Sequence, residues 1–230
     1  MAEVASSVPG PEDIEALSLA LISEDERAGA RFVAGLQREG VGIHDLYLFH
    51  ISAAARQLGE WWLSDRVSFA DVTLGTSRII AILRSLNHVF LASRAEFGRS
   101  VVFASVPGEQ HTVGITIAAD LFRREGWEVS LKLGHSYEEL VDVLEREDCS
   151  VVGLSAHGAK SLAPLVRLIV AIRVCKPGAH ILVSGHIVEE AEDIIGRTGA
   201  DAFASDISGA LREMRRLDDL SKALGLAPAV

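Results

Sequence analysis

From Val101 onward, short apolar runs alternate with amphipathic stretches, and this pattern restricts the chain to one fold class. Val101–Val106 is an apolar run rich in β-branched residues, and the breaker Pro107-Gly108 follows it. Helical spacing begins near Thr112 and runs to about Glu125, where Gly126 ends it. The pairing then repeats. Further strands are predicted at about Trp127–Leu133, Ser150–Ser155, His180–Ser184 and Asp201–Ala204. Further helices are predicted over Tyr137–Glu147, Leu162–Val174, Ile187–Ile195 and Ile207 to about Leu224. Apolar runs of this kind suit strands covered on both faces, and strand–helix alternation makes the sheet parallel.

Ligands of such sheets sit at the carboxyl ends of the strands. His111 falls there, on the loop leaving the first strand, with Glu109 two residues before it and Gly114 three after. A carboxylate beside a histidine fixes its tautomer and raises its basicity, as a metal-ligating histidine requires. A glycine lets a helix start approach something bulky. Taken alone, Glu-x-His-x-x-Gly is read equally well as a loop histidine that happens to neighbour an acid.

The first half of the chain is helical. Pro11 opens a helix through Ile22, and Ser23 or Asp25 caps a second one running to Glu39, ended by Gly40. A third is predicted from about Ile43 to Trp62 and a fourth from about Phe69 to Ser93, with a break at Arg66. Four helices on short connections make an antiparallel bundle. A polar stretch with Gly98, from about Ala95 to Ser100, marks a domain break. The expected organisation is a helical bundle over 11–95 and a five-stranded parallel, flavodoxin-like α/β domain over 99–225. Residues 1 to about 10 are expected to be disordered.

Charge narrows the function. The formal net charge of −10 argues against a free-standing nucleic-acid binder, because phosphate contacts need clustered Lys and Arg. Cys149 and Cys175 have no disulfide or metal spacing, which suits a reducing cytoplasm. No membrane span or signal peptide is expected.

The Glu109-x-His111-x-x-Gly114 string resembles the Asp-x-His-x-x-Gly signature of cobalamin-binding domains, with Glu in place of Asp. The resemblance implies that His111 becomes the lower axial ligand of cobalt, while the nucleotide tail of the cofactor enters a slot in the domain. That slot is lined in the family by Ser-x-Leu after the third strand and Gly-Gly after the fourth. Ser155-Ala156-His157 and Ser184-Gly185 occupy those places, 41 positions after Gly114 and 30 positions from Ser155 to Gly185. Ser155 and Gly185 match, whereas His157 replaces Leu and Ser184 replaces Gly. Gln110, Thr112 and Val113 fall inside the first motif and are carried with it.

The helical half resembles the module that precedes many cobalamin domains, in which a Leu-Gly-x-x-Trp element ends one helix. Leu58-Gly59-Glu60-Trp61-Trp62 matches, and Val67-Ser68 matches the Ile/Val-Ser/Thr pair that begins the next helix. By that resemblance Trp62, with Trp61 beside it, shields the upper face of the corrin. The plain reading of both is core aromatics at a helix end. CarH-type light sensors carry Glu-His about ten residues after that tryptophan. Val72-Thr73 stand here instead, so the upper-face histidine of those sensors is missing. His50 is expected to be a satisfied core histidine.

Methyl-transferring corrinoid proteins usually read Asp-x-His-Asp-Ile-Gly-Lys-Asn, and Thr112-Val113-Gly114-Ile115-Thr116 departs from that. The string from Pro107 to Gly114 is most similar to the AerR/PpaA group of photosynthesis regulators. That likeness implies a light- or redox-responsive regulator that holds adenosyl- or hydroxocobalamin and contacts a DNA-binding repressor of the CrtJ/PpsR type. It would not bind DNA specifically by itself. The alternatives are a corrinoid carrier for a methyltransferase, and a heme sensor like the AppA domain on the same fold. No catalytic constellation is present: Ser155 and His157 lack an activating acid, and the other histidines lack ligand spacing. Arg212, Arg215 and Arg216 on the last helix are expected on a solvated face.

Overall fold

The computed structural model describes residues 8–87 and 99–223. The chain divides into two compact units, Met1–Leu91 and Ala92–Val230. The expected break at Ala95–Ser100, with Gly98, lies largely outside the described residues. Residues 1–7 of the expected tail, and the part of the expected fourth helix after Asn87, lie outside them too.

The first unit is helical. Helix α1 spans Pro11–Ile22 and α2 spans Ala28–Arg38, after which Gly40 turns the chain with φ 94°. A short α3, Ile43–Asp45, runs into a π-helical stretch, Leu46–Ile51, and on into α4, Ser52–Leu63. The sequence reading had one regular helix here. The π turn has a local cause: the carbonyl of Tyr47 accepts both the backbone N–H of Ser52, five residues on, and its hydroxyl at 2.6 Å. Helix α5 spans Phe69–Asn87. Arg78 on α5 closes the end of α1 by donating to the carbonyls of Leu21 and Ser23 at 2.9 and 2.7 Å. Gly75 brings α5 against α4 and α1, since a Cβ there would lie 2.7 Å from Leu58 and 3.2 Å from Ile22. His50 is buried, its Nδ1 3.3 Å from the carbonyl of Asp45, as a core histidine should be.

The two tryptophans separate. Ala54, Leu58 and Trp61 lie at helical spacing and are all buried. Trp61 is 6% exposed, with the Arg66 guanidinium 4.2 Å from its ring centre. Trp62 is 44% exposed, and its ring meets only the exposed Phe69 at 6.1 Å among the described aromatics. Trp61 thus has the core role of the plain reading, and Trp62 carries the available face.

The second unit is a five-stranded parallel sheet. The strands are β1 Ser100–Ser105, β2 Glu128–Lys132, β3 Val151–Ser155, β4 His180–Ser184 and β5 Ala202–Ala204, in the order β2-β1-β3-β4-β5. The helices are α6 Val113–Arg124, α7 Tyr137–Arg146, α8 Leu162–Cys175, α9 Ile187–Ile195 and α10 Ile207–Ala223. Val102, Ala104, Val152, Leu154, Ile181 and Val183 form one core with α7, α8 and α9. On the other face Phe103 packs edge-on against Phe122 of α6 at 5.1 Å. Gly153 makes room for it, because a Cβ there would lie 2.4 Å from the Phe103 ring. Both faces are therefore apolar, which explains the uninterrupted apolar strands. Among the described residues, no helix is long and apolar enough to cross a membrane.

Candidate functional site

The site is built at the carboxyl ends of β1, β3 and β4. The register aligns Ser105 with Ser155 and Ser155 with Ser184, so three hydroxyl residues end the three central strands. The chain leaves β1 through a tight turn in which the N–H of Glu109 donates to the carbonyl of Val106 at 2.9 Å. Pro107 supplies the first central position, and Gly108, with φ 84°, supplies the left-handed second one.

That turn swings the Glu109 carboxylate inward, where only 8% of the residue remains exposed. Five donors meet it. Oε1 accepts from the backbone N–H groups of Gln110 and His111 at 2.9 Å each, and from His111 Nδ1 at 2.6 Å. Oε2 accepts from the His157 backbone N–H at 2.8 Å and the Ser161 hydroxyl at 3.0 Å. Burial alone would raise the pKa of Glu109. The hydrogen bonds from His111, His157 and Ser161 override that and hold it at about 2. The hydrogen bond to Glu109, together with its charge, in turn raises the pKa of His111, against an opposing effect of burial.

The consequence lies on the other side of the imidazole. Nδ1–H donates to an ionised carboxylate, so in the neutral imidazole Nε2 carries the lone pair. The His111 side chain is 62% exposed, and Nε2 has no hydrogen-bond partner among the described residues. This is the arrangement of a metal-ligating histidine with an orienting carboxylate. Among the described residues, no group of three or more His, Cys, Asp or Glu is placed to hold a metal ion. The donor set therefore suits a metal that arrives with ligands of its own and takes one more from the protein.

Gly114 and Gly185 complete the geometry. Gly114 is the second residue of α6, and a Cβ there would meet nothing within 4 Å among the described residues. Neither packing nor backbone strain accounts for it, and open space lies before it. Gly185 differs, with φ 108° and a Cβ position only 2.2 Å from the carbonyl oxygen of Ala156. The exits from β3 and β4 are laced together there: the Ala156 N–H donates to the Ser184 carbonyl at 3.0 Å. The Ser184 hydroxyl lies 3.4 Å from the carbonyl of Leu154. Ser155 is buried at the base of this loop pair.

His157 leaves β3 in an exposed loop, and its ring stacks on that of His111, centroids 4.0 Å apart and planes 23° apart. His186, from the exit of β4, lies 5.4 Å beyond His157. Gln110 is exposed, while Thr112 precedes α6 and accepts from Thr116 through its carbonyl. Val113 is the first residue of α6 and half-buried. The sequence reading had no role for Ser161. It reaches Glu109 across 52 positions, and nothing local in the sequence signals that contact.

Comparison with known proteins agrees with this architecture. A family model described as "B12 binding domain" matches residues 99–213. An uncharacterized 20.5 kDa protein in the bchF-crtJ intergenic region of Rhodobacter capsulatus is 30% identical over 178 residues, covering 75% of this chain and 92% of that one. The structure of the Methanosarcina barkeri monomethylamine corrinoid protein superposes with a TM-score of 0.73 at 14% identity, covering 87% of this chain and 96% of that one. The fold is thus the one seen in corrinoid proteins, and the chain belongs to the B12-binding domain family.

Proposed function

We propose that this protein binds cobalamin through His111 Nε2 and serves as a regulator, responding to light or redox state, that acts by contacting another protein. The observation that carries the binding half is the Glu109–His111 pair at the carboxyl end of β1, which leaves one imidazole nitrogen free among the described residues. The residues present fit the group: His111 would supply the axial ligand, and Glu109 would orient it. Ser155, His157, Ser184 and Gly185 would line the tail slot, with Gln110, Thr112 and Val113 around the first loop. By the resemblance, Trp62 would shield the upper face of the cofactor, with Trp61 beside it; of the two, Trp62 is the exposed one. When bound, the group supplies a cobalt centre with an exchangeable, and in alkyl forms light-sensitive, upper ligand.

The output half rests on kinship. The Rhodobacter capsulatus relative is placed beside crtJ, and CrtJ-type repressors are the partners that the AerR/PpaA likeness implies. The net charge of −10 favours protein contact over direct DNA reading. The partner would be a DNA-binding repressor, and the protein itself a binder rather than a catalyst. A second reading, a corrinoid carrier serving a methyltransferase, is supported by the likeness in fold to the monomethylamine corrinoid protein.

The test has two stages. Purified protein is mixed with hydroxocobalamin, adenosylcobalamin or heme, and absorption is recorded in the dark and after illumination. The protein is then used as bait in extract of its native host, in cofactor-free, dark and illuminated forms. Recovery of a transcription factor in a state-dependent way supports the regulator. Recovery of a methyltransferase contradicts it and supports the carrier.

A further inference from the structure

Resting on the assignment of His111 as the axial ligand, we propose that His157 is a positioning residue, its imidazole being the flat wall that sets the plane of the His111 ring. The bond from Nδ1 to Glu109 fixes one point of the His111 ring, at 2.6 Å. It leaves the ring able to swing about that contact, and the ring is largely exposed. Stacking at 4.0 Å with planes 23° apart removes that freedom, because any swing must slide or tilt one ring against the other.

The wall is itself held. The backbone N–H of His157 donates to Oε2 of Glu109, the carboxylate whose Oε1 takes Nδ1 of His111. One side chain therefore sets the spacing of both histidines. Ser161, in the 3₁₀ turn Ala159–Ser161 that follows, binds the same Oε2 and fixes the loop that carries His157. Behind His157 stands His186, 5.4 Å away and itself anchored, with Nδ1 3.1 Å from Glu189 and Nε2 3.5 Å from Glu190. The exits of β1, β3 and β4 each contribute one ring to this row. An aliphatic residue at position 157 would touch His111 without offering a plane.

The effect on cobalt would be directional. A ligand lone pair must point at its metal, so a ring free to swing binds more weakly and in a wider spread of orientations. The test compares His157→Ala, His157→Phe and wild type at one pH, 8.0. Phe keeps a flat ring and removes every nitrogen. In the cofactor-free proteins, nuclear magnetic resonance reads the His111 ring protons. The stacked shift should be present in wild type and His157→Phe and lost in His157→Ala. With hydroxocobalamin, His157→Ala should bind roughly 10-fold more weakly, at the lower end of losses for orienting groups. His157→Phe should recover most of that loss.

Circular dichroism checks that all three are folded. Wild-type His111 ring shifts in His157→Ala would overturn the proposal, as would Phe failing to restore them. If wild type takes up no hydroxocobalamin, the cobalamin assignment fails, and the cofactor-free measurement still decides the stack by itself.

Discussion

Two loop exits of one sheet each present a glycine, and the reasons for the two are opposite. At the β4 exit Gly185 is required by the protein itself: its φ is positive and the Ala156 carbonyl fills the space a side chain would need. At the β1 exit no described residue requires Gly114, because a side chain there would meet none of them within 4 Å. The same residue type is a packing solution in one place and an open position in the other. A motif match treats the two alike, and only the geometry tells which glycine the described residues themselves require.

Substitution sharpens this contrast most at Gly185. Gly185→Ala should lose up to about 6 kcal/mol, from strain of roughly 1–3 kcal/mol in the left-handed backbone and a similar cost of overpacking. Urea unfolding measures it, and near-native stability would mean that the β3 and β4 exits are not laced as described. The helical unit offers a parallel pair. Trp61→Ala should cost about 3–5 kcal/mol as a buried aromatic truncation. Trp62→Ala should stay within about 0.5 kcal/mol as a surface change, while altering upper-ligand exchange or photolysis. Equal stability losses would erase the distinction between core and face.

Glu109→Gln comes next. It puts an amide N–H in place of one carboxylate oxygen, facing at least two of the five donors, a loss of about 1–3 kcal/mol for a donor left unsatisfied. Its pH dependence has a defined sign. The folded pKa of Glu109 is held at about 2, below its ordinary 4.5, so its contribution is complete above 4.5 and fades as pH falls toward 2. The pKa of His111 is raised above 6.5, so its contribution is complete below 6.5 and fades as pH rises through the folded value. The stability gap between wild type and Glu109→Gln should therefore be widest between pH 4.5 and 6.5. A gap that does not vary with pH would show that the pair is not ionised as described.

The other glycine should show a small effect of the opposite sign. Gly114→Ala should leave folding unchanged or gain about 0.4–1 kcal/mol, since the position is helical and open. A bulkier Gly114→Phe should fold normally and lose corrinoid. Destabilisation by Gly114→Ala would return Gly114 to the same class as Gly185.

The order of strands and helices was legible because breakers bound each apolar run. His180–Ser184 and Ile187–Ile195 fall where the sequence reading put them, bracketing Gly185. The pairing of Glu109 with His111 was also legible, being local. The π turn at Leu46–Ile51 was not, because it depends on how Ser52 bonds to Tyr47. Ser161 and the stacking of His157 escaped for another reason: they join loops brought together only by the β1–β3 register. The burial of Trp61 rather than Trp62 was available in the spacing of Ala54, Leu58 and Trp61, a signal that the motif match obscured.

The most direct measurement is titration of hydroxocobalamin into wild type and His111→Ala, followed by absorption. Wild type should bind with a spectrum showing an imidazole nitrogen on cobalt. His111→Ala, folded by circular dichroism, should lose that spectrum and bind far more weakly. Binding of equal strength with an identical spectrum in the two proteins would contradict the assignment of His111 as the metal ligand.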